Sequence, residues 1–346
     1  MGQFYFDDDA DLALLEGKTV AILGYGNQGR SQALNLRDSG VNVIVGSAEK
    51  RSSGKAVDDG FSVVPFAEAV RTADVLFMLL PDEVMPKIYR EHIEPHLRPG
   101  MVLNFAHGYV IHYGEIVPPD FVDVTLIGPR MIGKGVRDNF ENGVGFPSLV
   151  AVHQDASGRA KAMMLALSKG IGSTKMGVLE TTFREETEID LFSEQTSDIY
   201  IPMAIFEALT AAGYDPDVVL LETYASGEMA QIWSDARDIG LLHQLKLHSR
   251  TSQYGQLVAG RRLLDFDGMR GQFGAVIEQI KSGRFAEEWK QEEANGFQEL
   301  IRAADETLQH PMQKTEDRLY QILKRRNYDL NDAYWLKDKA EPGTDA

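Results

Sequence analysis

The first half of the chain alternates short apolar runs with segments of helical periodicity, and this alternation constrains the fold more than any other feature. The runs have the length of buried strands and stop near residue 180: KTVAIL (18–23), VNVIVGS (41–47), FSVVPF (61–66), ADVLFMLL (73–80), MVLNFAH (101–107), VDVTLIG (122–128) and SLVAVH (148–153). Such alternation predicts a parallel, doubly wound sheet of the Rossmann type, with ligands beyond the carboxyl ends of the strands.

The second half of the chain lacks strand signals and is predicted to be helical. The predicted helices span residues 186–210, 216–236, 256–262, 267–282, 284–305 and 314–325. We therefore expect an α/β domain at residues 1–181, an all-helical domain at 182–330, and a disordered tail at 331–346.

Charge and composition exclude several classes of function. The 346 residues carry a net charge of −17, which argues against nucleic acid or an anionic membrane as a partner. The chain has no cysteine, and hence no disulfide and no thiol nucleophile. Apolar runs of transmembrane length are absent from the sequence, and the acidic N-terminus does not resemble a signal peptide. We expect a cytoplasmic protein.

A glycine-rich turn follows the first predicted strand and opens a helix. It has the G-x-G-x-x-G spacing of a dinucleotide-binding fingerprint and consists of Gly24, Tyr25, Gly26, Asn27, Gln28 and Gly29. Glycines at this spacing allow a tight turn and a close approach of pyrophosphate to the helix N-terminus. The alternative is a tight strand–helix turn that binds nothing.

The end of the second predicted strand indicates which dinucleotide binds. NAD sites often place an acidic residue there, whereas this chain continues through Glu49 into Lys50, Arg51, Ser52 and Ser53. Two cations and two hydroxyls suit a 2′-phosphate, which favours NADP. A solvated loop is the alternative, and Glu49 is the one residue that fits NAD better.

Polar residues also follow three later strands, where a parallel sheet would bring them to one edge. Asp82 and Glu83 follow the fourth run, His107 the fifth and Arg130 the sixth. The position of His107 after an apolar strand and before a glycine makes it a site candidate. The alternative is a buried, hydrogen-bonded core histidine.

The stretch TTFREETEIDLFSEQ (181–195) concentrates negative charge on a predicted helix. Five acids lie between Glu185 and Glu194 without an intervening base, and Glu186, Asp190 and Glu194 repeat every four residues along one side. Like charges at this spacing destabilise a helix, so a divalent cation such as Mg²⁺ is a simple compensation. A solvated acidic face is the alternative.

Taken together, these motifs resemble the ketol-acid reductoisomerase (acetohydroxy-acid isomeroreductase) family, in its short-chain class. The similarity runs from about residue 4 to about residue 325. It is carried by GYGNQG with ALNLRDSGVNVIVG, LLPDE, NFAHGYVIHYG, VAVHQDASG and, most specifically, LETTFREETEIDLFSEQ.

The resemblance implies a reaction, its cofactors and an assembly. The family converts 2-acetolactate or 2-aceto-2-hydroxybutyrate to a 2,3-dihydroxy-3-methyl acid in branched-chain amino acid biosynthesis, by an alkyl shift and a reduction. It uses NADPH and Mg²⁺, with two metal ions expected here. It also implies a knotted helical domain like that of 6-phosphogluconate dehydrogenase, and a homodimer or larger homo-oligomer of intertwined helical domains.

Matching positions imply roles for particular residues. Asp190 and Glu194 match the metal ligands, with Asp190 bridging both ions, and His107 matches the active-site histidine. The glycine-rich turn matches the pyrophosphate loop, Ser52 or Ser53 the 2′-phosphate contact, and Asp82 and Glu83 the segment passing the cofactor. Gly133 is also assigned to the cofactor site. Ser249 aligns with the serine that holds the substrate carboxylate, and it is expected from the neighbouring chain.

Three departures from the family pattern concern the isomerisation centre or the adenine end of the cofactor. Arg130 stands where the family has a lysine near the metal ions. Glu222 and Glu228 are six residues apart, where the family has two metal-ligating glutamates four apart. Either the helix is interrupted at Ser226-Gly227 or a single glutamate, preferably Glu228, reaches the site. Ala48 stands where the family often has an arginine for the adenine end of the cofactor.

Three functions are compatible with this pattern. The first is an authentic ketol-acid reductoisomerase. The second is a diverged paralogue that reduces another 2-keto acid with little or no alkyl migration, as Arg130 and the altered glutamate spacing suggest. The third is a non-catalytic NADPH-binding subunit, which would predict loss of the acidic helix.

Overall fold

The computed structural model describes residues 2–47, 50–196 and 199–325, with the backbone alone for residues 50–53. The chain divides after Asp190 into two compact units. The domain boundary at residue 181 stays a prediction, and the tail predicted at 331–346 lies outside the described residues.

Within the described part of the first unit, nine strands form one sheet in the order β1-β9-β8-β7-β6-β5-β2-β3-β4. Their bounds are β1 Phe4–Tyr5, β2 Thr19–Leu23, β3 Asn42–Gly46, β4 Ser62–Val64, β5 Val75–Met78, β6 Val102–Phe105, β7 Asp123–Pro129, β8 Ser148–Gln154 and β9 Val178–Glu180. Strands β2 to β7 run parallel, which confirms the predicted doubly wound core. The strand order reverses between β2 and β5, and this switch point is where such sheets bind ligands.

The prediction of a wholly parallel sheet is wrong at one side. β8 pairs antiparallel with β7, because the connection from Pro129 returns to the same edge of the sheet, where Ser148 lies opposite Pro129. The sequence analysis also missed β1 and β9, which pair antiparallel with each other. Strands this short carry too few residues for an alternating pattern to be visible.

Helices cover the sheet on its two faces, and the predicted alternation therefore holds. Those of the first unit are α1 Asn27–Asp38, α2 Lys50–Asp58, α3 Phe66–Thr72, α4 Met85–Ile88, α5 Tyr109–His112, α6 Gly133–Glu141 and α7 Ala160–Ile171, and α8 Phe183–Thr196 follows β9. The core consists of sheet and helix side chains with little or no exposure, among them Ile22, Phe77, Phe105 and Leu167. One buried polar pair crosses the central strands, where Thr125 donates to Asn104 Oδ1 at 3.0 Å.

The described part of the second unit, residues 191–196 and 199–325, consists of the end of α8 followed by helices and turns. Its α-helices are α9 Tyr200–Ala211, α10 Pro216–Leu220, α11 Glu228–Ile239, α12 Arg250–Tyr254, α13 Arg261–Leu263, α14 Phe266–Lys281, α15 Arg284–Ala294, α16 Gln298–Gln309 and α17 Pro311–Ile322. Its core contains Phe206, Val219, Leu220, Ala225 and Leu319.

Some predicted helices of the second unit are shorter than expected. The prediction of one helix over 284–305 is wrong, because the backbone turns at Gly296 and Phe297, which have φ angles of 71° and 60°. The segment predicted as one helix from 216 to 236 is also divided, with a π-helical turn at Leu221–Ala225 before α11. No helix within the described ranges is long and apolar enough to cross a membrane.

Candidate active site

The glycine-rich turn lies at the switch point of the sheet, between the carboxyl ends of β2 and β5. Gly24 has a φ of 96°, and a Cβ on it would lie 2.6 Å from the carbonyl oxygen of Leu79. A Cβ on Gly29 would collide with the carbonyl of Gly24. Both positions therefore require glycine, and α1 begins at Asn27 with its N-terminus at this edge. This cradle fits the pyrophosphate of a dinucleotide.

The turn after β7 packs against the glycine-rich turn. A Cβ on Gly133 would collide with the backbone of Asn27, so the first residue of α6 must be glycine. Gln28 Nε2 donates to the carbonyl of Met131 at 2.9 Å, and Gln32 Nε2 donates to Gln28 Oε1 at 3.0 Å. The structure thus places Gly133 beside the dinucleotide loop, as expected of a cofactor-site residue.

An aspartate that sequence analysis did not single out clamps the same loop. The hydroxyl of Tyr25 donates to Asp59 Oδ2 at 2.9 Å, and Arg30 Nε donates to the same oxygen at 2.6 Å. The hydrogen bond from Arg30 lowers the pKa of Asp59, and burial raises the pKa of Tyr25. An Asp-Gly pair after a predicted helix was the only sequence signal, and it indicates a turn rather than a clamp.

The predicted 2′-phosphate contacts are only partly described. Helix α2 begins at Lys50, so Lys50, Arg51, Ser52 and Ser53 form its first turns. Their side chains lie outside the described residues, as do Ala48 and Glu49. The NADP preference that they predict stays a prediction.

Four side chains meet near the carboxyl ends of β6 and β7. His107 follows β6, Arg130 follows β7, and Glu186 and Asp190 lie on α8. Arg130 donates from Nη1 to Asp190 Oδ1 at 2.7 Å and from Nη2 to Glu186 Oε1 at 2.9 Å. His107 Nδ1 lies 3.2 Å from Glu186 Oε2 and 3.5 Å from Asp190 Oδ2. We call these residues the charged cluster.

Glu186 is the buried centre of the charged cluster. It has no exposed surface, and its Oε2 accepts a hydrogen bond from the backbone N–H of Gly108 at 2.8 Å. A Cβ on Gly108 would lie 2.6 Å from Thr187 Oγ1, and one on Gly128 would lie 2.8 Å from an Arg130 nitrogen. Both glycines therefore allow α8 to approach the strand ends closely.

The electrostatics of the cluster favour its ionised form. Burial disfavours a charge on Glu186, but hydrogen bonds from His107 and Gly108 and the charge of Arg130 outweigh it and hold the pKa of Glu186 below its usual value. Burial likewise opposes protonation of His107, but Glu186, Asp82 and Asp190 raise its pKa to about 9. Glu186 is thus held ionised and His107 protonated at neutral pH.

Asp82 and Glu83 follow β5, next along the same edge. Burial raises the pKa of Asp82 to about 6, and the positive charge of His107 opposes this shift. Asp82 therefore changes its protonation state just below neutral pH. The structure brings Asp82 within electrostatic reach of the charged cluster, which agrees with the sequence prediction that both belong to one edge.

The charged cluster has a donor set that fits a hard divalent cation. His107, Glu186 and Asp190 offer ligand atoms that lie within 4.8 Å of one another. Carboxylate oxygens are the ligands that Mg²⁺ prefers, and Asp190 is the carboxylate with exposed surface, at 28% of its side chain. Asp190 therefore fits the predicted ligand role better than Glu186. Glu194 lies one turn further along α8, on the same side.

Sequence analysis placed Glu186 in the acidic row but did not assign it to the site. A signal was available, because Phe183, Glu186 and Thr187 recur at the spacing of one helical face. Phe183 is only 5% exposed and the other two are fully buried. A carboxylate on an apolar face needs partners, which the sequence alone does not identify.

The remaining predicted residues lie in the second unit. Glu222 lies in the π-helical turn and Glu228 begins α11, with Gly227 between them at a φ of 94°. Of the two alternatives considered, the structure shows an interruption at Ser226-Gly227. Ser249 caps α12, where its hydroxyl accepts a hydrogen bond from Ser252 N at 3.2 Å. Their assignment to metal and substrate stays a prediction.

Comparison with known proteins agrees with this geometry. Residues 14–177 match the family model described as acetohydroxy acid isomeroreductase, NADPH-binding domain, and residues 183–325 match the model described as ketol-acid reductoisomerase, C-terminal domain. Together, the two matches cover most of the chain.

Characterised relatives and a solved structure extend the likeness over almost the whole length. The ketol-acid reductoisomerase (NADP(+)) of Methanopyrus kandleri is 44% identical over 328 residues, covering 93% of this chain and 99% of that protein. The Pyrococcus abyssi protein of the same name is 46% identical over 290 residues, covering 82% and 86%. An NADH-preferring ketol-acid reductoisomerase from an uncultured archean is 34% identical, with a TM-score of 0.87 over 93% of this chain and 100% of that one.

These matches confirm the predicted family, its α/β domain followed by a helical domain, and the enzyme class. They also fit the dinucleotide cradle and the charged cluster, since NADP and Mg²⁺ are the cofactors of this family. The chain belongs to the ketol-acid reductoisomerase family, a family of oxidoreductases with an NADPH-binding domain.

Proposed function

We propose that this protein converts 2-acetolactate, or 2-aceto-2-hydroxybutyrate, to the corresponding 2,3-dihydroxy-3-methyl acid, as a step of branched-chain amino acid biosynthesis. The observation that carries the proposal is the juxtaposition of a dinucleotide cradle and a charged cluster at one edge of one sheet. Alkyl migration needs polarised oxygens and reduction needs a hydride donor, and a single edge offers a place for both.

When bound, Mg²⁺ polarises the substrate oxygens and NADPH supplies the hydride. The chain's own residues bind and orient these groups. Asp190 and Glu194, from the same helix, would hold the Mg²⁺ ions. His107 holds a proton on Nδ1 against Glu186 Oε2, at 3.2 Å, and so fixes its ring beside the metal ligand. Arg130 sets the orientation of both carboxylates.

The preferred dinucleotide is proposed to be NADPH. The basic and hydroxyl side chains predicted for the 2′-phosphate support this choice, since such groups form charge-assisted hydrogen bonds. A solved relative prefers NADH by its name, so the family contains both preferences. Comparing kcat/KM for NADPH and NADH decides between them. Equal values would show that Glu49, rather than the cations after it, governs the loop.

The helical unit is proposed to form a homodimer that completes the site with Glu228 and Ser249 of the neighbouring chain. This proposal is supported by the large apolar side chains that the helical unit exposes in the single chain. Large side chains that are more than half exposed include Tyr200, Trp233, Leu242, Leu263 and Phe266. Large apolar patches on a protein surface usually mark an interface, and we propose that a second copy of the chain covers these side chains.

A second candidate function is reduction of another 2-keto acid with weak or no alkyl migration. Two observations favour it: Arg130 replaces the family lysine, and Gly227 interrupts the helix between Glu222 and Glu228. The non-catalytic alternative is less favoured, because the charged cluster is retained.

One assay separates the two enzymatic functions. NADPH consumption is measured with Mg²⁺ on 2-acetolactate and on 3-hydroxy-3-methyl-2-ketobutyrate, the product of migration alone. Turnover of both substrates supports the first function. Turnover of the ketobutyrate alone supports the second. In that case Arg130→Lys alone should not restore acetolactate turnover, because the interruption at Gly227 remains.

A further inference from the structure

A single guanidinium holds both carboxylates of the charged cluster. Nη1 of Arg130 donates to Asp190 at 2.7 Å, Nη2 donates to Glu186 at 2.9 Å, and Nε donates to the carbonyl of Gly128 at 3.1 Å. Each donor edge of the side chain therefore has a partner. A lysine, with one ammonium nitrogen, does not present this planar fork.

The two carboxylates differ in how firmly they are held. Glu186 has no exposed surface and also accepts from Gly108 N, so its position is fixed by burial and by three donors. Asp190 lies one turn on and keeps 28% of its side chain exposed. Asp190 is thus the carboxylate that solvent and ions reach, while Glu186 anchors Arg130 from the interior.

We propose that Arg130 is a built-in competitor of Mg²⁺ for Asp190. An entering Mg²⁺ takes Asp190 from Nη1, while Glu186 and the carbonyl of Gly128 keep the guanidinium in place. The exchange costs the ion pair and leaves a fixed positive charge beside the metal. Both effects weaken the binding of the cation. This inference rests on the proposed function only in that Asp190 is the metal ligand.

A consequence is that the arginine lowers metal affinity instead of merely reshaping the cavity. Removing a unit charge a few ångströms from a divalent ion changes its affinity by roughly tenfold even when the interaction is screened as in bulk water. Arg130→Gln should therefore bind the cation about tenfold more tightly. Arg130→Lys should fall between that variant and the wild type, since it keeps the charge but loses the fork.

The test is cation affinity of the full-length protein without dinucleotide or substrate. Binding of Mn²⁺ is followed by the loss of its free electron-paramagnetic-resonance signal, and Mg²⁺ is measured by competition. Arg137→Gln is the matched control, because Arg137 also pairs with two carboxylates, Asp38 at 2.6 Å and Glu141 at 2.8 Å. We expect tighter binding in Arg130→Gln and an unchanged affinity in Arg137→Gln. Equal or weaker binding in Arg130→Gln would overturn the proposal.

A second measurement needs no folded variant at position 130. In protein labelled with ¹⁵N-arginine, the guanidinium resonance that is sensitive to Asp190→Asn belongs to the ion pair. Addition of Mg²⁺ should shift this resonance in the wild type as Nη1 loses its partner. A resonance that does not respond to bound Mg²⁺ would contradict the exchange.

The outcome for the proposed function is read separately. Suppose that Arg130→Gln binds the cation more tightly but the wild type does not convert acetolactate. This result would support the competitor role and contradict the proposed reaction. If instead the wild type converts acetolactate, and Arg130→Gln binds the cation no more tightly than the wild type, the proposed reaction is supported and the competitor role is contradicted.

Discussion

Two carboxylates one helical turn apart have different environments and, we infer, different roles. Glu186 is fully buried and held by Gly108, whereas Asp190 is partly exposed and shares Arg130 with it. A buried, fully hydrogen-bonded carboxylate positions its neighbours, and an exposed one can exchange partners. Both lie on one side of α8, and the difference arises from their position along the helix, since Glu186 lies one turn nearer its N-terminus, where Gly108 allows a close approach.

Asp190→Asn is predicted to abolish Mg²⁺-dependent turnover and to leave NADPH binding intact. An amide supplies no charge to a cation and cannot bridge two ions as a carboxylate does. The measurements are steady-state kinetics and a fluorescence titration with NADPH. Glu185→Gln, an exposed acid on the same helix, is the control and should retain activity. Full activity in Asp190→Asn would rule out the metal assignment.

Asp59→Asn is predicted to lower the free energy of unfolding of the first unit by about 1–2 kcal/mol at neutral pH. The expected loss is smaller than for a buried ion pair, because the Arg30 side chain is half exposed and solvent screens the charge. The pKa of Asp59 is lowered from 3.8, so its stabilising effect is present above this value and disappears as the pH falls through the lower folded-state pKa. Urea unfolding from pH 7 to pH 2.5 measures the difference from the wild type.

The control for this clamp is Asp58→Asn, which changes the exposed neighbouring aspartate. It should have an unfolding free energy close to that of the wild type at all pH values. A gap between Asp59→Asn and the wild type that is constant down to pH 2.5 would mean that the clamp does not depend on the charge of Asp59.

Single residues show where sequence reasoning succeeds and where it ends. His107 was predictable, because a polar residue after a buried parallel strand must lie at the ligand-binding edge. The pairing of Arg130 with Glu186 was not predictable, because it depends on how closely α8 approaches the ends of the strands. That distance depends on Gly108 and Gly128, which are far from α8 in sequence.

At the scale of elements, the connection before α11 departs from regular helical structure. Gly227 has a φ of 94° and no atom within 4 Å of an added Cβ, so the cost of a side chain there is conformational. This turn separates Glu222 from Glu228 and precedes α11.

Gly227→Ala is predicted to reduce the free energy of unfolding by about 1–2 kcal/mol, because a left-handed conformation disfavours a Cβ. Gly274→Ala is the control, since Gly274 lies in α14 with a negative φ and open space around it. Alanine there should be neutral or stabilise by up to about 1 kcal/mol. Chemical denaturation measures both, and equal effects would show that Gly227 is not constrained by its backbone.

Regular elements were predictable in proportion to their length. The parallel strands β2 to β7 correspond to apolar-rich runs of six to eight residues, and all six were predicted. The two-residue β1 and the three-residue β9 were missed, and the direction of β8 was wrong. Strand direction depends on where the preceding connection ends, and local sequence does not encode this.

At the scale of the whole molecule, the protein is predicted to be a homodimer with about twice the chain mass of 38.5 kDa. Leu263→Asp, in the helical unit, should shift it toward the monomer and lower its activity. Val117→Asp is the control, since Val117 lies in the first unit and both side chains are 75% exposed. Light scattering after size exclusion measures both. A fully active monomeric wild type would contradict the completed site.

The tie between Gln28 and the carbonyl of Met131 has a thermodynamic consequence. The cofactor turn and the turn that follows Arg130 are joined by this hydrogen bond and by the contact of Gly133 with Asn27, so a shift in one is transmitted to the other. We predict that NADPH and Mg²⁺, which bind beside these two turns, are thermodynamically linked. Each then changes the affinity of the protein for the other by the same factor. Titrating NADPH with and without Mg²⁺ in the wild type and in Gln28→Leu measures this factor, which should move toward one in the variant. Gln28 would thus set how strongly binding of one cofactor favours binding of the other.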